Sequence, residues 1–158
     1  MAKPSLSFAR VQQAADSRKA KSWLLPMSRQ DADRVALRYH IALAAVRTGR
    51  GTRMHLQLLL QMSVLASLIG HAYGAALCPD AIRKVEQSLL EGFSRGEQTD
   101  TWTLDEEAIE LCAAIATHHD HQLGTVPLAA IDDAARRLDR FLSHQSYDRA
   151  LPNWRHQK

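Results

Sequence analysis

Three histidines and an aspartate stand next to one another in one short stretch, and they are the residues in this chain best suited to chemistry. The stretch ATHHDHQLG contains His118, His119, Asp120 and His121. On a helix, His118 and His121 lie within about 60° of each other, so two imidazoles could supply half of a zinc site. The other half is missing, because Glu110 lies roughly 12 Å away along the helix axis. No H-E-x-x-H, E-x-x-H or C-x-x-C motif occurs.

The histidine cluster is better explained as the end of a helix. Imidazoles near a helix C-terminus interact well with its exposed carbonyl groups, and Gly124 follows as a candidate C-cap. We therefore predict a surface cluster that terminates a helix, and we expect no cofactor. A metal site or a pH-sensitive contact at His118 and His121 is the alternative.

Catalytic groups are otherwise without a recognisable setting. Phosphate-binding loops of the dinucleotide and Walker kinds need strand-to-helix contexts, and no serine or cysteine has a recognisable base beside it. We predict a protein that is not an enzyme. A metal-dependent enzyme at His118 and His121 is the remote catalytic alternative.

Helical periodicity runs through most of the chain, whereas β-branched residues are scattered and never alternate over four or more positions. This predicts an all-α fold, a single-domain bundle of five or six helices. The central helix, at about residues 53–72, is apolar around most of its circumference and is therefore expected to be buried. We divide the chain into a basic arm with a weak helix (1–27), a helical bundle (28–143) and a partly ordered tail (144–158).

Helix boundaries are marked by several local signals. Ser28 is a candidate N-cap for a helix that runs to about Thr48, and Cys78 with Pro79 opens a later one. Thr103 and Glu106 have the spacing of a capping box, which predicts a helix start at Thr103.

Three further expectations concern the first helix, the connection after it and the exposed face of a later helix. The weak first helix spans about Ser5 to Ser22, and the cluster of Trp23, Leu24 and Leu25 is expected to pin the following connection to the body. The helix that opens at Pro79 is expected to expose a charged face formed by Arg83, Lys84, Glu86 and Glu91.

Length and cysteine usage indicate one intracellular domain. At 158 residues the chain is long enough to bury a core without disulfides. Cys78 and Cys112 both have apolar neighbours, which predicts two buried thiols in a reducing compartment. The most apolar stretch, residues 54–69, is interrupted by five polar residues, so we expect a cytoplasmic protein with no membrane partner.

Charge is distributed unevenly along the chain. Residues 1–53 hold eleven Lys and Arg against three Asp, a net charge of +8, whereas residues 95–120 hold one Arg against seven acids, a net charge of −6. A chain with a basic and an acidic pole attracts phosphates, acidic proteins or another copy of itself. We predict nucleic-acid or anion binding in the basic N-terminal third, through Arg18, Lys19, Lys21, Arg34, Arg38, Arg47, Arg50 and Arg53.

The segment TGRGTR, residues 48–53, is open to two interpretations. Two glycines permit a nest of backbone amides around an anion, with three guanidinium groups nearby. The simpler interpretation is a turn between two helices that arginine keeps soluble.

The stretch KAKSWLLPMSRQDADRVALRYHIALAAVRTG, residues 19–49, resembles small helical proteins of bacterial mobile and accessory DNA that are labelled Fis-family transcriptional regulators. The likeness rests on the WLLPMS junction and the alanine-rich helix after it. It implies a helical dimer that binds DNA through a C-terminal helix-turn-helix. That unit is not recognisable here, because the last helix mixes three acids with three arginines: Asp132, Asp133, Asp139, Arg136, Arg137 and Arg140.

Two functions remain open from the sequence. The first is a bacterial transcription-associated regulator that contacts nucleic acid through its basic N-terminal third. The second is a protein-interaction or self-associating helical module, such as a dimer, because the apolar stripe of the first helix is too narrow to be held well by one subunit.

Overall fold

The structure, a computed structural model, describes residues 17, 20–73 and 76–144. Residues 20–23 are helical, and the described part contains five long helices: α1 (Arg29–Arg47), α2 (Arg53–Tyr73), α3 (Pro79–Thr99), α4 (Glu106–Thr125) and α5 (Leu128–His144). The all-α prediction is confirmed. The predicted helix at Ser5–Ser22 lies outside the described residues except at Ser17 and residues 20–22, and the tail lies outside them after residue 144.

Helix α2 is the centre of the bundle, as its apolar circumference predicts. It packs against α1, α3, α4 and α5. Its buried side chains include Leu56, Leu59, Met62 and Ile69. By length and mean hydropathy, 1.3 over an 18-residue window, α2 alone in the described part could also cross a membrane. The core helix of a compact bundle has this same composition, because each of its faces meets another helix.

The starts of α1 and α3 agree with the sequence, but the start of α4 does not. The Ser28 hydroxyl accepts a hydrogen bond from the Asp31 backbone N–H at 3.2 Å, and Pro79 is the first residue of α3. Helix α4 begins at Glu106, because the Asp105 carboxylate accepts from the Ala108 N–H at 2.7 Å. The prediction of Thr103 as the cap was wrong. Its carbonyl instead accepts from the Arg95 guanidinium at 3.2 Å.

The end of α4 was also predicted wrongly. Gly124 lies inside the helix, which continues to Thr125 and is capped by Val126. Val126 has extended backbone angles (φ −85°, ψ 140°). The ring of Pro127 disfavours a helical conformation for the residue before it, and Pro127 itself has no N–H to donate. Proline therefore ends this helix, and glycine does not.

The segment before α1 is fixed by its backbone rather than by its leucines. Leu128 donates its N–H to the Leu25 carbonyl at 2.8 Å, and an isolated β-bridge joins Pro26 to Pro127. The side chains of Leu24 and Leu25 are 70% and 60% exposed. The prediction that the cluster pins the connection was therefore wrong for Leu24 and Leu25, because backbone groups at Pro127 and Leu128 provide the attachment, whereas Trp23 is partly buried.

Two further burial predictions need correction. Glu86 is buried rather than on a solvated face, since its position on α3 lies one turn after Ile82 and shares the inner face with Leu89. Cys78 is exposed in the connection before α3, whereas Cys112 is buried as predicted.

Trp102 joins the α3–α4 connection to two other parts of the bundle. Its ring lies directly over Gly96 of α3 and meets the Phe93 ring edge-on, with centroids 6.4 Å apart. Its backbone carbonyl lies against Gly51, in the connection between α1 and α2. Both glycines are required by close approach, since a Cβ at either position would overlap Trp102.

We predict that Gly96→Ala lowers the free energy of unfolding by about 1–3 kcal/mol, because its methyl group would displace the Trp102 ring. Chemical denaturation followed by circular dichroism measures this change. The matched control is Gly124→Ala, a glycine inside α4 whose Cβ would meet nothing within 4 Å. It should raise stability by about 0.5–1 kcal/mol, through helix propensity alone. Equal effects of the two substitutions would contradict the packing assigned to Trp102.

Candidate functional site

The histidine stretch of α4 is not a surface cluster. His119 is only 1% exposed and belongs to the core, His118 is half-buried, and His121 alone of the three is exposed. The prediction of a surface cluster was therefore wrong for His119. On the helix, position 119 shares the buried face with Cys112 and Ile115, and helix periodicity alone therefore places it inward.

The Gln122 side chain connects both inward histidines with α2. Its Nε2 donates to the Ala66 carbonyl at 3.0 Å and lies 3.1 Å from Nε2 of His118. Its Oε1 lies 3.1 Å from Nδ1 of His119. An amide nitrogen can only donate and an amide oxygen can only accept. In this arrangement Nε2 of His118 accepts, and Nδ1 of His119 carries a proton and donates.

Burial sets the ionisation of His119. Desolvation lowers the pKa of its imidazole, while the hydrogen bond to Gln122 and the nearby Asp120 raise it in part, and His118 lowers it further. The ring meets Tyr39 of α1 edge-on, with centroids 5.6 Å apart. Burial also raises the pKa of the Tyr39 hydroxyl. His119 is thus a neutral residue that joins α4 to α1 and α2.

The structure brings no further ligands to the predicted metal alternative. His118 and His121 acquire no third partner, since no group of three or more His, Cys, Asp or Glu that could hold a metal is present in residues 17, 20–73 and 76–144. Burial raises the pKa of the Cys112 thiol to about 12, so this thiol is not an activated nucleophile.

A partly exposed pair lies beside the buried network. Nε2 of His40, on α1, is 2.7 Å from the Asp120 carboxylate of α4. The two side chains are 45% and 34% exposed. This pair and the Tyr39–His119 contact hold the same stretch of α1 against α4.

The eight predicted basic residues do not form one free surface. Arg18 and Lys19 lie outside the described residues. Three others are in ion pairs: Arg34 with Asp31 at 3.2 Å, Arg47 with Glu110, and Arg53 with Glu97 at 3.7 Å. Lys21, Arg38 and Arg50 are exposed, and none of them has an ion-pair partner within the described part of the chain.

The two charge poles of the sequence therefore meet inside one molecule. Helix α4 lies against α1, and its acidic residues accept cations from its neighbours, with Glu110 contacting Arg47 and Glu107 contacting Lys84 of α3. Each of these pairs is largely solvent-exposed and contributes little stability on its own. The Arg47 pair neutralises part of the basic third locally, which lowers the field that this third presents to phosphates.

The loop TGRGTR is a helix ending rather than a nest of amides. The N–H groups of Thr48, Gly49 and Arg50 donate to the carbonyls of Ala44, Val46 and Ala45, respectively. Gly49 has a left-handed backbone (φ +73°), and Gly51 packs against Trp102. Three amides that could face an anion are thus used in capping α1, although the Arg50 side chain remains exposed.

The outer face of α1, defined here as Arg34, Leu37, Arg38 and Ile41, exposes two aliphatic side chains in the middle of a helix. Leu37 and Ile41, one turn apart, are 58% and 54% exposed, while the opposite side of the same helix is buried. Arg34 and Arg38 flank the two apolar side chains. The sequence analysis missed this face, although the apolar pair Leu37 and Ile41 at i and i+4 was a detectable signal.

A shallow groove between α2 and α5 has a volume of about 250 Å³. Ala72, Ala130 and Ala134 line it together with Leu68, and Asp133 and Arg137 lie at its exposed rim.

Comparisons with known proteins add no family to this geometry: no model of a protein family matches the chain, and searches of curated proteins and of solved structures give no match.

We predict that the stability of the folded chain falls on acidification because of His119. Since the folded-state pKa of His119 lies below its usual value of 6.5, the unfolded chain binds the proton more readily. Its contribution to stability is therefore complete above pH 6.5 and is lost as the pH falls towards the folded-state pKa. Urea unfolding between pH 8 and pH 5 measures this loss.

His119→Phe tests the cause. It keeps a ring against Tyr39 but leaves Oε1 of Gln122 without its donor, so at pH 8 it should cost about 1–3 kcal/mol. Its stability should then change less with pH than that of the parent chain. His121→Ala is the exposed control on the same helix and should keep the parent pH dependence. An unchanged slope in His119→Phe would show that other groups carry the acid response.

Proposed function

We propose that this chain is a non-catalytic helical binding protein that self-associates, and that the outer face of α1 contacts the same face of a second copy. The observation that supports this most directly is the pair of mid-helix aliphatic side chains, Leu37 and Ile41, left more than half exposed. Their contribution is hydrophobic and is gained only when another apolar surface covers them.

The chemistry of this face favours a protein partner over nucleic acid. Phosphates and base edges are recognised mainly by charged and hydrogen-bonding groups. Two aliphatic side chains at the centre of the face, with arginines only along one flank, are instead typical of a helix that packs on another helix.

The charge pattern of α1 favours its own copy. If two α1 helices pair antiparallel about a two-fold axis near residue 39, Leu37 of each faces Ile41 of the other. Asp33 then faces residue 45 of the second copy, about 3 Å along the axis from Arg47. By the two-fold symmetry, Asp33 of the second copy lies in the same way near Arg47 of the first. Ala44 and Ala45 leave room for close approach.

The ion pairs that Asp33 and Arg47 form within one chain can be replaced by a pair between two copies at little cost in free energy. Asp33 contacts Arg29 at 3.9 Å within its own chain, and both side chains are mostly exposed. Arg47 contacts Glu110, and its side chain is 51% exposed. Exposed pairs of this kind are weak, so replacing them across an interface carries little penalty.

The interface is small, so the predicted association is weak. Helix α1 has 19 residues and is about 28 Å long. One helix pair buries less than the roughly 1,600 Å² of a standard interface. We expect reversible dimers that form at high concentration.

Leu37→Asp should weaken this association at least tenfold (about 1.4 kcal/mol), because a carboxylate would be buried at the helix crossing. Sedimentation equilibrium over a wide concentration range measures it, with circular dichroism as the check on folding. Met54→Asp is the matched control, since Met54 is 60% exposed on another helix. A parent chain that stays monomeric at millimolar concentration rules out the proposal.

Nucleic-acid contact is the second candidate function, and one observation favours it. Lys21, Arg38 and Arg50 are exposed and engage no carboxylate within the described residues, so their charges are available to phosphates. This reduced set supports a weaker and less specific contact than eight cations would.

If these three cations carry binding to duplex DNA, the logarithm of affinity should fall with that of salt concentration with a slope of about −2.7 per chain. Fluorescence anisotropy with a labelled duplex measures this slope. Removing one of the three cations, as in Arg38→Ala, should make the slope shallower by about 0.9. Arg47→Ala, which removes a paired cation, should change it less. Binding that does not respond to salt argues against this function.

A further inference from the structure

We propose that the groove between α2 and α5 is a second surface through which this chain binds its own copy, with Phe141 of each copy seated in the groove of the other. This contact is separate from the outer face of α1. It goes beyond the dimer proposed above, because a chain with two different self-contacts joins dimers into larger assemblies.

The groove is apolar along its floor and open to water. The residues of this apolar part come from the last turns of α2 and the first turns of α5: Leu68, Ala72, Tyr73, Ala129, Ala130 and Ala134. Tyr73 is half exposed, so the lining on the α2 side is in contact with water. An apolar side chain from outside would therefore meet apolar atoms of two helices at once and displace water from both.

Phe141 is an exposed ring on the same helix that forms the groove. About half of its surface is in contact with water, and it lies one turn beyond Arg137 on the same side of α5. It is about 18 Å along the helix axis from Ala129, so it cannot fill the end of its own groove there. A second α5 that runs in the opposite direction brings a Phe141 ring to that end.

The charges at the rim of the groove favour one register for such a pair. Asp133 and Arg137 are exposed, one turn apart, and neither forms an ion pair within the described part of the chain. If two α5 helices pair antiparallel about a two-fold axis near residue 135, Asp133 of each copy faces Arg137 of the other. Phe141 of each then faces Ala129 of the other, because both pairs of positions are equidistant from residue 135. One register thus pairs the charges and seats both rings.

Further exposed apolar side chains lie at the end of α5 that receives the ring. The Leu25 carbonyl accepts from the Leu128 N–H at 2.8 Å, which places Leu24 and Leu25 at the N-terminal end of α5. With Tyr73 and Phe141 they make four of the seven large apolar side chains that the described residues leave exposed. Apolar exposure is therefore concentrated on α5, its N-terminal end and its groove.

A second copy fits this surface better than nucleic acid or an unrelated protein does. The rim carries one carboxylate and one guanidinium, so it has no net charge to attract phosphates. The groove, the ring that fills it and both rim charges belong to one chain. A two-fold contact between identical surfaces requires this kind of self-complementarity.

Sedimentation equilibrium of the Leu37→Asp chain tests the contact, because this substitution weakens the α1 contact and leaves the α5 groove unchanged. We expect this chain still to form dimers at high concentration, whereas the parent chain forms larger assemblies. In the Leu37→Asp background, Phe141→Ala should weaken the remaining association about tenfold, since no ring then fills the groove. Met54→Ala is the matched control, a mostly exposed side chain at the other end of α2, and should leave that association unchanged.

An exchange of charges in the same background tests the register. Arg137→Asp sets a carboxylate of each copy against Asp133 of the other, so it should weaken the association about tenfold. Adding Asp133→Arg to Arg137→Asp makes the facing charges opposite again and should restore the association. Circular dichroism of each variant checks the helices, so a loss that the second substitution reverses cannot be assigned to unfolding.

Two results would overturn the proposal. One is a Leu37→Asp chain that stays monomeric at millimolar concentration while the parent chain associates, which leaves the α1 contact standing. The other is an association of the Leu37→Asp chain that neither Phe141→Ala nor Arg137→Asp weakens, which assigns it to another surface. Association of the parent chain that Phe141→Ala weakens and Leu37→Asp does not change supports the α5 contact and contradicts the α1 contact.

Discussion

The need to cover α2 on every side governs this structure. Leu56, Leu59, Met62 and Ile69 face one broad side of α2, and the partly buried Val64 lies outside that arc. One neighbouring helix therefore cannot remove all of these side chains from water. Helices α1, α3, α4 and α5 each pack on part of it. The contact of α1 with α4 follows from this arrangement, and so do the buried histidine network and the charge pairs between them.

Periodicity predicted the fold because helix type and core direction are local properties. The pattern of apolar residues identified α2 as central, and Ser28 and Pro79 marked helix starts correctly. Caps were less predictable, since Thr103 and Asp105 are both acceptable cap residues two positions apart. The choice of Asp105 depends on Arg95, which occupies Thr103 from a neighbouring helix. Such a contact between helices is not contained in the spacing of the residues it involves.

The burial of the site residues was harder to predict, because each residue was judged by its polarity and not by the side of the helix on which it lies. His119 and Glu86 are polar, which suggested exposure, yet each lies one helical turn from buried apolar neighbours. Leu37 and Ile41 are apolar and lie outside. The same helical periodicity that identified the core would have placed all four of these residues on the correct side of their helices. The pairing of charges could not be predicted in this way. Counting charges along the chain identified a basic and an acidic segment, but it did not predict that Arg47 would contact Glu110.

Helix α1 has two sides of different chemistry, a buried polar contact on one and exposed apolar side chains on the other. Its inner side holds Tyr39 against His119, where burial makes every hydrogen bond sensitive to ionisation. Its outer side leaves Leu37 and Ile41 exposed to water, and these side chains can be buried only against another surface. A single helix thus carries an internal contact whose ionisation is governed by burial and, on its other side, the two side chains that we propose contact a second copy. Because a helix moves as a unit, a change in how α1 sits on α4 necessarily changes the orientation in which the outer pair is presented.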